Sequence, residues 1–135
     1  IHYYVLEHVF NPFVFLNDLL SKLKKNGRMI FEIPHRNDAL FSLYNINSYK
    51  NFIMQKMHLF YFSEKSIRFI LNKLKVKYEL IKCQRYNLDN HYRWIFSNGK
   101  ENNFQIFSKK FNDLYMKEIC KKNYNDHFTI ILTKI

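Results

Sequence analysis

Glycine is almost missing from this chain: Gly27 and Gly99 are the only two. Proline is as scarce, at Pro12 and Pro34. So few breakers exclude a flexible linker, a collagen-like repeat or a glycine-rich phosphate cradle. The two cysteines, Cys83 and Cys120, stand far apart with no CxxC spacing, so neither a disulfide framework nor a zinc site is implied. No apolar run approaches the ~20 residues of a membrane span, and no signal peptide is visible. The expected setting is a reducing, cytoplasmic one, without a membrane partner. Acidic residues are the remaining shortage, 11 against 22 lysines and arginines, for a net charge of +11. What is plentiful is apolar: hydrophobic residues make up 47% and aromatics 19%, enough for a packed core and too much for a disordered tail. The 135 residues fit a single domain, 1–135, and the start at Ile1 reads as a cut from something longer.

A net charge of that size points to nucleic acid, a membrane surface or an acidic substrate. The lysines are spread rather than clustered, in a chain rich in Lys, Asn, Ile, Phe and Tyr. That spread disfavours nucleic acid as the partner.

The opening run Ile1 to Val9 is β-branched and aromatic, the composition of a buried strand running into a loop. Asn11-Pro12 starts a helix, with Asn as N-cap and Pro in the first position. Leu16, Leu19, Leu20 and Leu23 recur at helical spacing, and Asn26-Gly27 ends it. Arg28 to Pro34 is a second strand, parallel to the first across a helical crossover. Residues 37 to 57 read as an irregular helical excursion, and His58 to Phe62 as extended. Ser63 caps an amphipathic helix through Ile67, Ile70, Leu71 and Leu74. Val76 to Tyr86 alternates as a strand. Asn87 to Asn103 is Asn-rich and reads as a long loop holding His91-Tyr92-Arg93-Trp94. Ser108 to Lys122 is a helix with Phe111, Leu114, Tyr115 and Ile119 inward, and His127 to Thr133 a final core strand. Strands alternating with helices make an α/β sheet.

Several ordered segments resemble the second half of a class I S-adenosylmethionine-dependent methyltransferase. Val5-Leu6-Glu7-His8-Val9, Asn11-Pro12 and Phe15-Leu16 look like that family's LEHV…NP…FL signature. Leu23 to Ile30 is similar to its LKPGG turn, and Glu32-Ile33-Pro34 to the EIP that ends the next strand. His58, Tyr61-Phe62-Ser63 and Ile67 to Leu74 look like its H…YFS…LL segment. The resemblance implies a Rossmann-like three-layer sandwich, a mostly parallel sheet whose last strand, His127 to Thr133, runs antiparallel. It implies S-adenosyl-L-methionine as cofactor, with the glycine-rich loop that holds most of it lying before position 1. The chain is then the substrate-side portion, completed by the missing N-terminal half of the same domain, and a homo-oligomer is compatible with it. Tyr4 and Leu6 fall at the edge nearest the cofactor.

Methyl transfer needs alignment, plus a base where the acceptor is a hydroxyl. Glu7 and His8 sit beyond the carboxyl end of the first strand, where open α/β sheets bind ligands, and imidazole is suited to accepting a proton. The alternative is that both only brace the loop. Glu7, His8 and His58 can also be read as a divalent-metal set. That pattern is similar to the E-x-x-E-H of metal-dependent small-RNA 2′-O-methyltransferases, but Tyr4 stands where those have the first Glu, so no metal is assigned. Asn90-His91-Tyr92-Arg93-Trp94 followed by Gly99-Lys100 resembles a loop of bacterial surface-polysaccharide and sugar-nucleotide methyltransferases, whose later Gly-Gly-His reads Asn102, Asn103, Phe104 here. Aromatic faces and Arg or His suit sugars and phosphates, set against simple lid packing. His35-Arg36 is a further candidate anion contact. The reading is therefore a methyltransferase acting on a small hydroxylated, sugar-like acceptor. Glu7 and His8 stand at the transfer point, and His35, Arg36, His58, Asn90, His91 and Trp94 around the acceptor. The alternatives are a non-catalytic basic module binding RNA or a partner chain, and an RNA methyltransferase.

Overall fold

A computed structural model describes residues 1–100 and 105–135; Asn102, Asn103 and Phe104 lie outside the described residues. Two compact units are present. The first comprises Ile1–His35, Met57–Ile81 and Phe128–Ile135, and the second Arg36–Lys56 and Lys82–His127.

The first unit is built on a four-stranded sheet of order β1-β2-β4-β3, with β1 at His2–Tyr3, β2 at Arg28–Pro34, β3 at Lys77–Cys83 and β4 at His127–Thr133. β1 and β2 run parallel, His2 opposite Phe31. Alternation dictates the buried face: Met29, Phe31 and Ile33 of β2 and Phe128, Ile130 and Leu132 of β4 are buried, and the residues between them half-buried. Leu16 and Leu20 of α1 (Pro12–Ser21) and Ile67 and Leu71 of α3 (Glu64–Lys73) complete that core, one turn apart in each helix. Each such side chain contributes ~1.5–3 kcal/mol by leaving water. Both helices start where the sequence says. Asn11 accepts from the Val14 N–H at 3.1 Å with Pro12 following, and Ser63 and Ser66 form a reciprocal capping box.

The first strand is shorter than its composition suggests. Tyr4 takes a positive φ of 52° and ends it after Tyr3, so Leu6–His8 becomes a single 3-10 turn. His58 to Phe62 joins the sheet only through one parallel bridge, His35 to Phe62.

The second unit holds a π-helical turn at Ala39–Leu43, α2 (Asn47–Ile53), α4 (Leu88–Ser97) and α5 (Lys109–Lys121). The predicted loop at Asn87 to Asn103 is corrected here: most of its described part is α4. Asn87 is not loop filler but the N-cap, accepting from the Asn90 N–H at 2.9 Å. Asn98 (φ 54°) and Gly99 (φ 75°) stop the helix in left-handed conformations. In α5, Ile119 is buried as expected, but Phe111 and Leu114 are more than half exposed, and Asn112 takes the inward place. Its side-chain amide donates to the buried Asp89 carboxylate at 2.7 Å, so a polar bridge replaces an apolar stripe there.

Candidate functional site

The site grows out of the turn after β1. A buried Leu6 (0% exposed) anchors the turn in the core, and the next two residues, Glu7 and His8, sit just beyond the carboxyl ends of the parallel strands β1 and β2. That is where an open α/β sheet leaves a crevice for ligands. The 57–60 segment is tied to the turn by the main chain. The N–H groups of Leu59 and Phe60 both donate to the Glu7 carbonyl, at 2.8 and 3.1 Å. The His8 ring adds a third tie, its Nδ1 lying 2.9 Å from the Met57 carbonyl. A carbonyl only accepts, so Nδ1 carries a proton, and the neutral ring presents its lone pair at Nε2. His58 is thereby brought against His8, ring centroids 4.7 Å apart, with Tyr61 5.7 Å from His58 on the other side.

Glu7, His8 and His58 each offer one donor atom, and the three lie within 4.8 Å of one another. Glu7 is 1% exposed, His8 is exposed and His58 half-buried, so the cluster has a closed acidic floor and an open imidazole side. Burial pushes the Glu7 carboxyl above the usual carboxylate range, only partly offset by its own backbone N–H and by His8. Glu7 Oε2 has no hydrogen-bond partner. Tyr4, exposed, donates its backbone N–H to the Glu32 carbonyl at 3.0 Å. In the same unit His35 is buried, its ring 4.4 Å from that of Phe128.

The other predicted residues belong to the second unit. Arg36 is exposed. His91 is buried in α4 within a hydrogen-bonded chain. Gln84 accepts from the Asp126 N–H through Oε1, which turns its amide nitrogen toward His91 Nε2 at 3.3 Å. His91 Nδ1 then donates to the Tyr115 hydroxyl at 2.6 Å, and Tyr115 meets the Tyr44 hydroxyl at 2.9 Å. Burial pushes the His91 imidazole down to about 4, so it is neutral at ordinary pH. Trp94 packs between Tyr49 (centroids 5.1 Å) and Phe52 (5.3 Å). Gly99 lies under its indole: a Cβ at Gly99 would come within 2.9 Å of the ring. Asn90 lines a polar cavity of about 570 Å³ with Asn87, Arg93, Gln105 and Lys109. Gln105 and Lys109 escaped the sequence reading because surface amides and lysines are everywhere in this chain. The Met57 carbonyl carries no sequence signal at all. Its role is visible only once Met57 and His8 are neighbours.

The two glycines are both committed elsewhere. Gly27 turns the chain into β2, where a Cβ would come 2.8 Å from the Lys24 carbonyl, and Gly99 seats Trp94. Neither builds a cradle for a nucleotide-sized cofactor.

No family model matches this sequence, and no curated protein does. Solved structures do. A S-adenosylmethionine-dependent methyltransferase from Thermotoga maritima, described as a possible histamine N-methyltransferase, superposes with a TM-score of 0.58 at 14% identity. The match covers 98% of this chain and 54% of that one. A S-adenosylmethionine-dependent methyltransferase from Archaeoglobus fulgidus gives a TM-score of 0.47 at 20% identity, over 97% of this chain and 56% of that one. The first likeness shows the fold: an α/β sandwich of the class I methyltransferase kind. The chain spans little more than half the length of either.

Proposed function

We propose that this chain is the acceptor-side portion of a S-adenosylmethionine-dependent methyltransferase that works on a small hydroxylated acceptor of the sugar or sugar-nucleotide class. The observation that carries this reading is the Glu7–His8–His58 cluster just beyond the carboxyl ends of the parallel strands, on a methyltransferase fold. A hydroxyl oxygen is a poor nucleophile until its proton leaves. Loss of that proton depends on His8, whose Nε2 lone pair is aimed by the Nδ1–H bond to Met57. Glu7 and the Met57 carbonyl keep the turn and the imidazole in place.

S-adenosylmethionine, when bound, supplies an electrophilic methyl carbon. Tyr4 and Leu6 are the residues of this chain assigned to its edge. With both glycines occupied elsewhere, this chain fits the cofactor only at that edge, and the preceding half of the domain is assigned the rest. Of the acceptor-side candidates, His35 and His58 stand in the first unit and Arg36, Asn90 and Trp94 in the second, while His91, buried and hydrogen-bonded at both ring nitrogens, braces the second unit. Within the second unit by itself, the polar side chains around the cavity of about 570 Å³ that Asn90 lines suit a hydroxylated ligand.

The deciding experiment is His8→Ala in the intact methyltransferase. Turnover should fall ~10²–10⁴-fold while the cofactor Kd stays nearly constant, the weight of a lost proton-transfer group. His58→Ala should mainly raise KM. A near-normal kcat with a lowered melting temperature in His8→Ala would reduce His8 to a brace and end this reading.

A further inference from the structure

We infer that Glu7, His8 and His58 form a binding site for a divalent transition-metal ion of the Zn²⁺ or Co²⁺ class, with positions left open for an oxygen ligand. Among the described residues, no other group of three His, Cys, Asp or Glu side chains brings its donor atoms together in this way. Proximity alone would be weak, but the buried member supplies an independent sign. Glu7 is 1% exposed, and its Oε2 makes no hydrogen bond. A buried carboxylate oxygen left without a partner is costly, and a cation is the partner that removes the cost.

The imidazole side is prepared as well. Metal-binding histidines characteristically donate their other ring N–H to a carbonyl or carboxylate, which fixes tautomer and orientation. His8 does so, through Nδ1 to the Met57 carbonyl at 2.9 Å, leaving Nε2 as the donor atom. His58 is presented by the same segment, clamped by the two N–H bonds from Leu59 and Phe60 to the Glu7 carbonyl. Donors on one ion at ~2.1 Å stand about 3.4 Å apart in tetrahedral geometry. From a spread of up to 4.8 Å, rotation of the half-buried His58 imidazole about its side-chain bonds closes the set around Glu7 and the tethered His8. Two nitrogens and one oxygen favour a transition metal over Mg²⁺ or Ca²⁺, which take oxygen ligands. Three protein ligands with an exposed side describe a reactive site rather than a closed structural one.

This inference rests on the proposed function only for what the ion does. With the ion bound, the His8 Nε2 lone pair is a ligand and no longer the base; the ion instead makes a bound hydroxyl release its proton to solvent more readily, as it does for water. Binding itself requires neither cofactor nor acceptor, so the two readings fail separately.

Calorimetric titration of this chain with Zn²⁺ and with Co²⁺ near neutral pH is the test. One equivalent should bind with a Kd in the micromolar range or tighter, and millimolar Mg²⁺ should not displace it. Glu7→Gln and His58→Ala should each weaken binding by about tenfold or more. His8→Ala, at an exposed position, is a third variant that leaves the core untouched, and circular dichroism confirms that each variant is folded. Cobalt should show visible d–d bands of a nitrogen–oxygen site. Absence of saturable binding below ~1 mM, unchanged Kd in the folded variants, or a thiolate charge-transfer band placing the ion on Cys83 or Cys120 would each overturn the assignment.

Discussion

Gly99 and Trp94 show how one residue can carry two demands. Gly99 holds φ at 75° and lies flat under the indole, where a Cβ would meet ring carbons at 2.9–3.0 Å. Gly99→Ala should therefore cost about 1–3 kcal/mol, through left-handed backbone strain and a displaced ring. Trp94 is the single tryptophan of the chain, so a urea titration followed by its fluorescence reads both effects together. An unchanged midpoint and emission maximum would show that neither demand matters. His91 illustrates the opposite lesson. A histidine in an Asn-His-Tyr run invites a binding role, yet in the fold it is 2% exposed and hydrogen-bonded at both nitrogens.

At the scale of elements, Asp38 joins the π-helical turn to α2. Its Oδ1 accepts from the Phe41 N–H at 2.8 Å, and its Oδ2 accepts from the Tyr49 hydroxyl at 2.7 Å. Burial nevertheless pushes the carboxyl from 3.8 up to about 6, more than these bonds lower it. Between those values the folded chain keeps a proton that the unfolded chain has released. Its contribution to stability therefore falls as pH rises through that window. His91, pushed down to about 4, works in the other direction: it stays neutral while its unfolded counterpart is protonated, so its contribution grows with pH. The two slopes oppose each other across much the same range, and the wild-type profile should be shallow. Asp38→Asn removes one of them while keeping an acceptor for Phe41 and a partner for Tyr49. Relative to wild type, this variant should gain about 3 kcal/mol between pH 4 and 7. Denaturant unfolding at unit pH steps checks it; a constant difference would mean that Asp38 is not titrating in this window.

For the whole molecule, the relevant fact is what the sheet presents and what the glycines do not. The chain reproduces a methyltransferase sandwich over 98% of its own length but 54% of its structural relative's. Neither glycine is free to form a cofactor cradle. Isothermal titration of these 135 residues with S-adenosylmethionine should give a Kd weaker than roughly 1 mM. Micromolar binding would relocate the cofactor contacts onto this chain. No helix among the described residues is long and apolar enough to cross a membrane, in keeping with the lack of long apolar runs in the sequence.

The sequence by itself determined three helix starts and two core strands. Asn11-Pro12, Ser63 and Ser108 act within a few residues of themselves, and alternation in Arg28–Pro34 and His127–Thr133 depends only on the pleat. It misread Asn87 to Ser97, because an asparagine that caps and one that fills a loop are the same letter until the backbone around it is known. Glu7 and His8 were legible as neighbours in sequence. Their meeting with His58 and Met57 was decided by tertiary structure, since two backbone N–H bonds to one carbonyl bring together segments about fifty residues apart. So was the unpartnered Oε2 of Glu7, because whether a carboxylate is solvated or stranded depends on what the rest of the chain packs over it.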